Sequence, residues 1–258
     1  MSTALITGAS GGIGYELAKL FARDRHNLVL VARSTDKLAQ AAAEFQKQGI
    51  TVKTISLDLT DSHAPKFLLD QLQREGIAVD ILINNAGFGA HGEFAEMSEA
   101  DMQGQINLNI TALTQLTKLF LSPMLAQRSG RIMNVASTAG FQPGPLMAVY
   151  YATKAYVISF SEAIANELRG TGVTVTCLCP GPTHTGFARR AGNDQSRLFK
   201  QIGAMSAEKV AMVGYQAVME GRTLAIPGAQ NWLAVESTRF APRKMVTAIS
   251  RWISERSD

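Results

Sequence analysis

A chain of 258 residues with 46% hydrophobic and 18% charged residues has the balance of a folded globular protein, not of a disordered one. The net charge of +4 is spread over single basic residues and short pairs such as Arg189–Arg190 and Arg243–Lys244, a pattern that argues against a nucleic-acid partner. No apolar stretch reaches the roughly 18 residues of a spanning helix, and the start MSTALITGAS lacks the basic and apolar regions of a signal peptide. The expectation is a cytoplasmic enzyme with no membrane partner.

Short apolar runs, read as strands, fall at Ala4–Thr7, Asn27–Ala32, Thr51–Leu57, Ile81–Asn84, Arg131–Val135, Val173–Leu178 and Thr223–Ile226. LVLVA (28–32), ILIN (81–84) and VTVTCLC (173–179) are almost continuously apolar, as strands covered on both faces of a parallel sheet are. Helical patterns separate them at Ile13–Arg23, Thr35–Gln48, His63–Gly76, Glu99–Gln127, Val149–Gly170 and Ala207–Glu220. Alternating strands and helices predict a Rossmann-type, doubly wound seven-stranded parallel sheet in a three-layer α/β/α arrangement. No linker divides the chain, so residues 1–258 read as a single domain. The polar, Gly- and Arg-rich segment at about 183–206 breaks the rhythm just after a strand end and is a candidate substrate lid.

The first strand runs directly into TGASGGIG (7–14) and then into a helix. Glycines at 8, 12 and 14 let the main chain turn tightly and approach a pyrophosphate, and the helix start offers free N–H groups to it. Gly8, Ser10, Gly12, Ile13 and Gly14 are therefore candidate cofactor contacts. The second strand ends at Ala32, where a dinucleotide fold meets the adenosine ribose. An acid there would suit NAD(H); Arg33 suits a 2′-phosphate, with Ser10 and Ser34 as added hydroxyls. NADP(H) is thus preferred over NAD(H). Asp36 reads as a helix-start acid.

Tyr150 and Lys154 stand four apart on a predicted helix and share a face, whereas Tyr151 points elsewhere and reads as packing or substrate wall. A nearby cation favours a phenolate, which makes the pair a general acid/base. Ser137 follows the strand Arg131–Val135, where its hydroxyl can bond a substrate oxygen on which charge develops. Two more small-residue turns follow strand ends: Asn84-Asn85-Ala86-Gly87, and Pro180-Gly181 with Thr183 and Thr185 beyond it.

Together, TGxxxGxG at 7–14, Asp58, NNAG at 84–87, Asn109, Ser137, Tyr150-x-x-x-Lys154 and PGxxxT at 180–185 resemble the short-chain dehydrogenase/reductase family in its compact single-domain form. The resemblance runs over essentially the whole chain. It implies that Tyr150 exchanges a proton with the substrate oxygen, that Lys154 holds the nicotinamide ribose, and that Ser137 positions the substrate. It implies that Asn109, with Asn107 as its rival, anchors a water in a proton relay. Asp58 and Leu59 would contact adenine, Asn85, Ala86 and Gly87 the adenosine and its ribose, and Thr183 and Thr185, after Pro180 and Gly181, the carboxamide or pyrophosphate. No metal is needed, and a homodimer or homotetramer pairing through the long helices is the family's habit.

The expected function is an NADPH-dependent oxidoreductase interconverting a carbonyl with a secondary or primary alcohol. A non-catalytic NADP-binding regulator, an epimerase or dehydratase, and a membrane-bound steroid or fatty-acyl reductase are the alternatives; the segment IPGAQNWLAVESTRFAPRKMV (226–246) loosely resembles the last of these, but no anchor helix is present. The regulator would be expected to lack the tyrosine or lysine, and the epimerases usually carry a larger C-terminal domain. His26, His63, His91 and His184 form no metal spacing, and Cys177 and Cys179 read as small core residues. Phe88, Phe141, Met147 and Phe187 flank the motifs as pocket or packing residues, and Trp232 and Trp252 read as core or subunit contacts.

Overall fold

Seven parallel strands form one hydrogen-bonded sheet, in the order 52–56, 27–32, 3–7, 81–84, 130–135, 173–178 and 224–225. The computed structural model describes residues 1–200 and 203–255. The strands are β1 (Thr3–Thr7), β2 (Asn27–Ala32), β3 (Val52–Ser56), β4 (Ile81–Asn84), β5 (Gly130–Val135), β6 (Val173–Leu178) and β9 (Leu224–Ala225). Between them run α1 (Gly12–Arg23), α2 (Thr35–Gln46), α3 (Ala64–Arg74), α4 (Glu99–Ile106), α5 (Leu113–Gln127), α6 (Ala148–Glu167) and α9 (Ala207–Glu220). The fold is the expected Rossmann-type three-layer sandwich, and each strand and helix bound falls within a few residues of its expected place.

Alternation along the strands explains the two helical layers. Ala4, Ile6, Leu28, Leu30, Ile81 and Ile83 pack with α1, α2 and α9, while Leu5, Val29, Val31 and Leu82 pack with α3 and α5. Both faces are buried, which is why these strands read as continuous apolar runs. Register sets the site. Ile6 lies opposite Ile83, Asn84 opposite Asn134, and Val135 opposite Leu178. The C-terminal ends of β1, β4, β5 and β6 are therefore level, and the four motifs that follow them emerge along one edge.

Two regions differ from expectation. The helix expected over Glu99–Gln127 is divided by a π-helical turn at Asn107–Ala112. Apolar periodicity does not register one extra residue per turn, and such turns often mark functional sites. Beyond β9, the sequence reading assigned no elements, yet two helices follow: α10 (Ala229–Ser237) and α11 (Arg243–Ser254). The 183–206 segment holds β7 (Thr183–His184), α7 (Phe187–Ala191), α8 (Arg197–Lys200) and β8 (Met205–Ser206), with β7 and β8 paired in a small parallel sheet; positions 201–202 lie outside the described residues.

Candidate active site

A cavity of about 620 Å³ runs along the level strand ends, from the glycine loop to the inner faces of α10 and α11. At one end, the Gly8 N–H donates to Val31 O (2.8 Å), and Gly8 takes a positive φ of 67° that L-residues with side chains rarely adopt. The Asn85 amide donates to the carbonyls of Thr7 (2.9 Å) and Gly8 (3.3 Å), and the Thr7 hydroxyl accepts from the N–H groups of Asn85 and Ala86 (3.0 Å each). The two turns thus brace each other. No side chain caps the N-terminus of α1 and its first turn carries no acid, so its N–H groups remain open toward the cavity.

Arg33, at the end of β2, is half exposed on the cavity wall, with Nη1 3.8 Å from Asp58 Oδ2. Burial pushes the Asp58 carboxyl up, but hydrogen bonds from the Thr60 N–H and hydroxyl and the Arg33 and Arg190 guanidiniums together hold it below the usual range. Lys37 and Arg190 line the same wall, and the Arg190 guanidinium stands 4.4 Å from the centroid of the Phe88 ring. Sequence reasoning missed both. Lys37 stands in the first turn of α2, four residues beyond Arg33, a signal that was available; Arg190 arrives from the 183–206 segment, and no local pattern announces it.

At the other end, Ser137, Tyr150, Tyr151 and Lys154 meet. Lys154 Nζ donates to Val135 O (2.8 Å) and lies 5.8 Å from the centroid of the Tyr150 ring. Ser137 Oγ accepts from Ala139 N–H (3.1 Å) and approaches Pro180 O (3.3 Å). Without cofactor, burial pushes the Tyr150 phenol above its ordinary value, and hydrogen bonding to Ser137 draws it back only in part. The expected lowering by Lys154 is not what dominates here; desolvation of the phenolate does.

Burial also lowers the Lys154 ammonium to about 8, against about 10.4 in an unfolded chain. Between these values the unfolded chain binds more protons, so this group makes stability rise as pH increases across that window. Thermal midpoints of the cofactor-free protein from pH 8 to about 10 should contain this rising component, and Lys154→Met should remove it. An identical slope in the variant would contradict the assignment.

Most sequence-predicted residues line the cavity: Gly8, Ser10, Gly12, Ile13, Arg33, Asp58, Leu59, Asn85, Ala86, Gly87, Ser137, Tyr150, Lys154, Pro180, Gly181, Thr183 and Thr185. Two sit behind the wall. A Cβ on Gly14 would meet the Gly8 carbonyl at 2.5 Å, so this glycine serves close packing. Asn109 is buried in the π-helical turn, where it accepts from Phe88 N–H (3.1 Å) and donates to Phe88 O (2.9 Å) and Thr153 Oγ1 (3.1 Å). Its side chain fastens the NNAGF turn to α6, beside Gly87 and Lys154. Asn107 instead donates to Thr60 O, away from this cluster.

The other candidates sort themselves by position. Met147 and Phe187 line the cavity, with the Phe187 ring 5.1 Å from Tyr150, whereas Phe88 and Phe141 pack into the core. His91 Nε2 is bonded to the Ser254 carbonyl at 2.8 Å. Cys177 and Cys179 are buried free thiols, as expected of small core residues. Trp232 and Trp252 are about half exposed, so the core reading of them does not hold. Among the described residues no cluster of three or more potential metal ligands occurs.

The chain has a doubly wound sheet and a glycine-loop cavity that ends at a buried Tyr–Lys pair. Residues 2–196 match the family model for short chain dehydrogenase, and the chain belongs to the short-chain dehydrogenase/reductase family, whose members act on carbonyl and alcohol groups. It is 38% identical over 179 residues to the ketoacyl reductase HetN of Nostoc sp., covering 69% of this chain and 62% of that protein. It is 34% identical over 242 residues to sulfoacetaldehyde reductase 2 of Chromohalobacter salexigens, covering 89% and 96% respectively. A short-chain dehydrogenase from Sphingobium yanoikuyae, solved in complex with NADPH, superposes with a TM-score of 0.83 at 34% identity over 93% of this chain and 94% of that one.

Proposed function

We propose that the protein is an NADPH-dependent oxidoreductase that interconverts an apolar carbonyl compound with its primary or secondary alcohol. The observation that carries this reading is a single cavity whose one end has a glycine loop and Arg33, and whose other end has Ser137, Tyr150 and Lys154. The residues fit a dinucleotide. The uncapped start of α1 and the bare glycine faces suit a pyrophosphate, and Arg33 with Lys37 and Ser10 suits a 2′-phosphate. Asp58 and Leu59 would border the adenine, Asn85 to Gly87 the ribose, and Pro180, Gly181, Thr183 and Thr185 the carboxamide end.

The bound cofactor supplies or accepts the hydride. In the reductive direction Tyr150 gives its phenolic proton to the substrate oxygen, and the Ser137 hydroxyl donates a hydrogen bond to the same oxygen. Lys154 stabilises the phenolate that results. Asn109 positions Lys154 indirectly, by tying Phe88 to Thr153 on α6. Met147, Tyr151, Phe187, Leu198, Val235 and Ile253 wall the substrate end, which favours an apolar substrate. In this reading the 183–206 segment acts as the lid, and the enzyme works in the reducing cytoplasm, in keeping with its two free thiols, as a homodimer or homotetramer.

Calorimetric titration tests the cofactor assignment. NADPH should bind about tenfold or more tightly than NADH, the scale of one lost charged hydrogen bond. Arg33→Asp should reverse that order. Equal affinities in the parent, or an unchanged preference in the variant, would contradict it.

A further inference from the structure

Helix α11 is built inside out. It buries Val246, Ser250 and Ser254, and it presents Met245, Ile249 and Trp252 to solvent at 50%, 49% and 53% exposure. On α10 the buried residue is Val235, while Trp232 and Leu233 are exposed at 51% and 60%, and Phe240 in the intervening turn is almost fully exposed. A surface helix in water ordinarily shows the reverse arrangement. Six of the eleven exposed large hydrophobic side chains of the described residues thus fall on one helical hairpin.

The hairpin is not free to turn these residues inward. Ser250 and Ile253 of α11 already line the cavity, as do Ala234 and Val235 of α10. The Ser254 carbonyl holds His91, and Arg251 donates to Glu93 (2.8 Å). The outer face is left to be covered by something else.

Charge chooses the occupant. Residues 229–255 carry four cations, Arg239, Arg243, Lys244 and Arg251, and two acids, Glu236 and Glu255. Glu236 pairs with Arg239, Glu255 with Arg197 and more loosely with Arg251, and Arg251 with Glu93, while Arg243 and Lys244 form no ion pair among the described residues. A second copy docking through a two-fold axis would bring two surfaces of the same net positive charge together. An anionic lipid surface complements them, and apolar residues mixed with tryptophan and flanking cations are what such a surface takes up. No described helix is long and apolar enough to cross a membrane; α11, at roughly 18 Å, would lie in the interface plane.

We infer that the outer face of the α10–α11 hairpin docks on an anionic phospholipid surface, holding the substrate end of the cavity against it. The docking rests on the exposed face and not on the proposed chemistry. An apolar substrate would then pass between bilayer and cavity along the hairpin.

The chain's two tryptophans are Trp232 on α10 and Trp252 on α11, both about half exposed, so intrinsic emission reports on these helices directly. Emission and co-sedimentation should be measured with vesicles of phosphatidylcholine alone and of phosphatidylcholine containing about one third phosphatidylglycerol. The anionic vesicles should shift the emission to the blue and pellet the protein, and added salt should weaken both effects. Arg243→Glu/Lys244→Glu and Met245→Asn/Ile249→Asn, which keep both tryptophans, should each weaken partitioning about tenfold or more while keeping the parent's circular dichroism. Unchanged emission with anionic vesicles would overturn the inference. So would equal binding to neutral vesicles, or a blue shift produced by raising protein concentration alone with a dimer seen in light scattering. Because none of these readings uses turnover, loss of NADPH activity and loss of lipid docking are separate results.

Discussion

Tyr150→Phe should lower kcat by about 10³-fold, within the roughly 10²–10⁴ that a positioned proton donor contributes, and leave NADPH affinity within about twofold. The substitution removes one oxygen and keeps the ring, which packs against Phe187 and faces Tyr151 edge-on at 6.2 Å. The fold therefore has no reason to change. What is lost is the group that gives the substrate oxygen its proton, and Ser137 then hydrogen-bonds an oxygen with no proton source. Tyr151→Phe is the matched control. That hydroxyl is bonded to Ser254, so its loss should affect KM more than kcat. Steady-state kinetics on any accepted ketone, with calorimetry for NADPH, distinguishes the two. A Tyr150→Phe enzyme that keeps more than a tenth of parental kcat would remove the tyrosine from the chemistry.

Gly14→Ala should damage both stability and cofactor binding. A Cβ there would meet the Gly8 carbonyl at 2.5 Å and also strike the Asn85 amide. Both are on rigid turns: Gly8 is held by Val31, and Asn85 by Thr7 and Gly8. The start of α1 must withdraw, carrying its open N–H groups away from the glycine loop. The overpacking should cost about 1–3 kcal/mol of stability. NADPH affinity should fall by about ten- to a hundredfold, equivalent to one or two displaced charge-assisted hydrogen bonds. Gly11→Ala provides the contrast. Gly11 has an extended φ of 172° and nothing within 4 Å of a built Cβ, so its thermal midpoint should match the parent. Equal midpoints for all three proteins would show that the loop tolerates a methyl group where the geometry says it does not.

The sheet was legible in the sequence because strands buried on both faces leave apolar runs of the right length, and the strand ends were marked by the small residues that follow them. The strand-end candidates were legible for the same reason: Asn85 follows a strand directly, and Ser137 and Pro180 each stand two residues beyond one. The hydrogen-bond ladder around Asn109 was not, because a π-helical turn changes the phase of a helix without changing its composition. Nor was Arg190, whose place against Phe88 depends on how a segment about a hundred residues downstream folds back. The C-terminal helices escaped because amphipathic logic expects apolar residues to face inward, and α11 turns Met245, Ile249 and Trp252 outward. The raised phenol of Tyr150 in the absence of cofactor was not legible either, because spacing reveals the lysine but not the depth at which both side chains are buried.

The central claim is that one cavity brings a reduced nicotinamide to a carbonyl held by Ser137 and Tyr150. The most direct measurement incubates the protein with NADPH deuterated at the transferring position of the nicotinamide and a panel of apolar ketones and aldehydes, with mass spectrometry of the alcohols formed. The account predicts deuterium on the carbinol carbon of at least one product, with none formed by the Tyr150→Phe enzyme under the same conditions. Deuterated alcohol from the Tyr150→Phe enzyme at the parental rate, or no alcohol from any member of the panel despite NADPH binding, would contradict it.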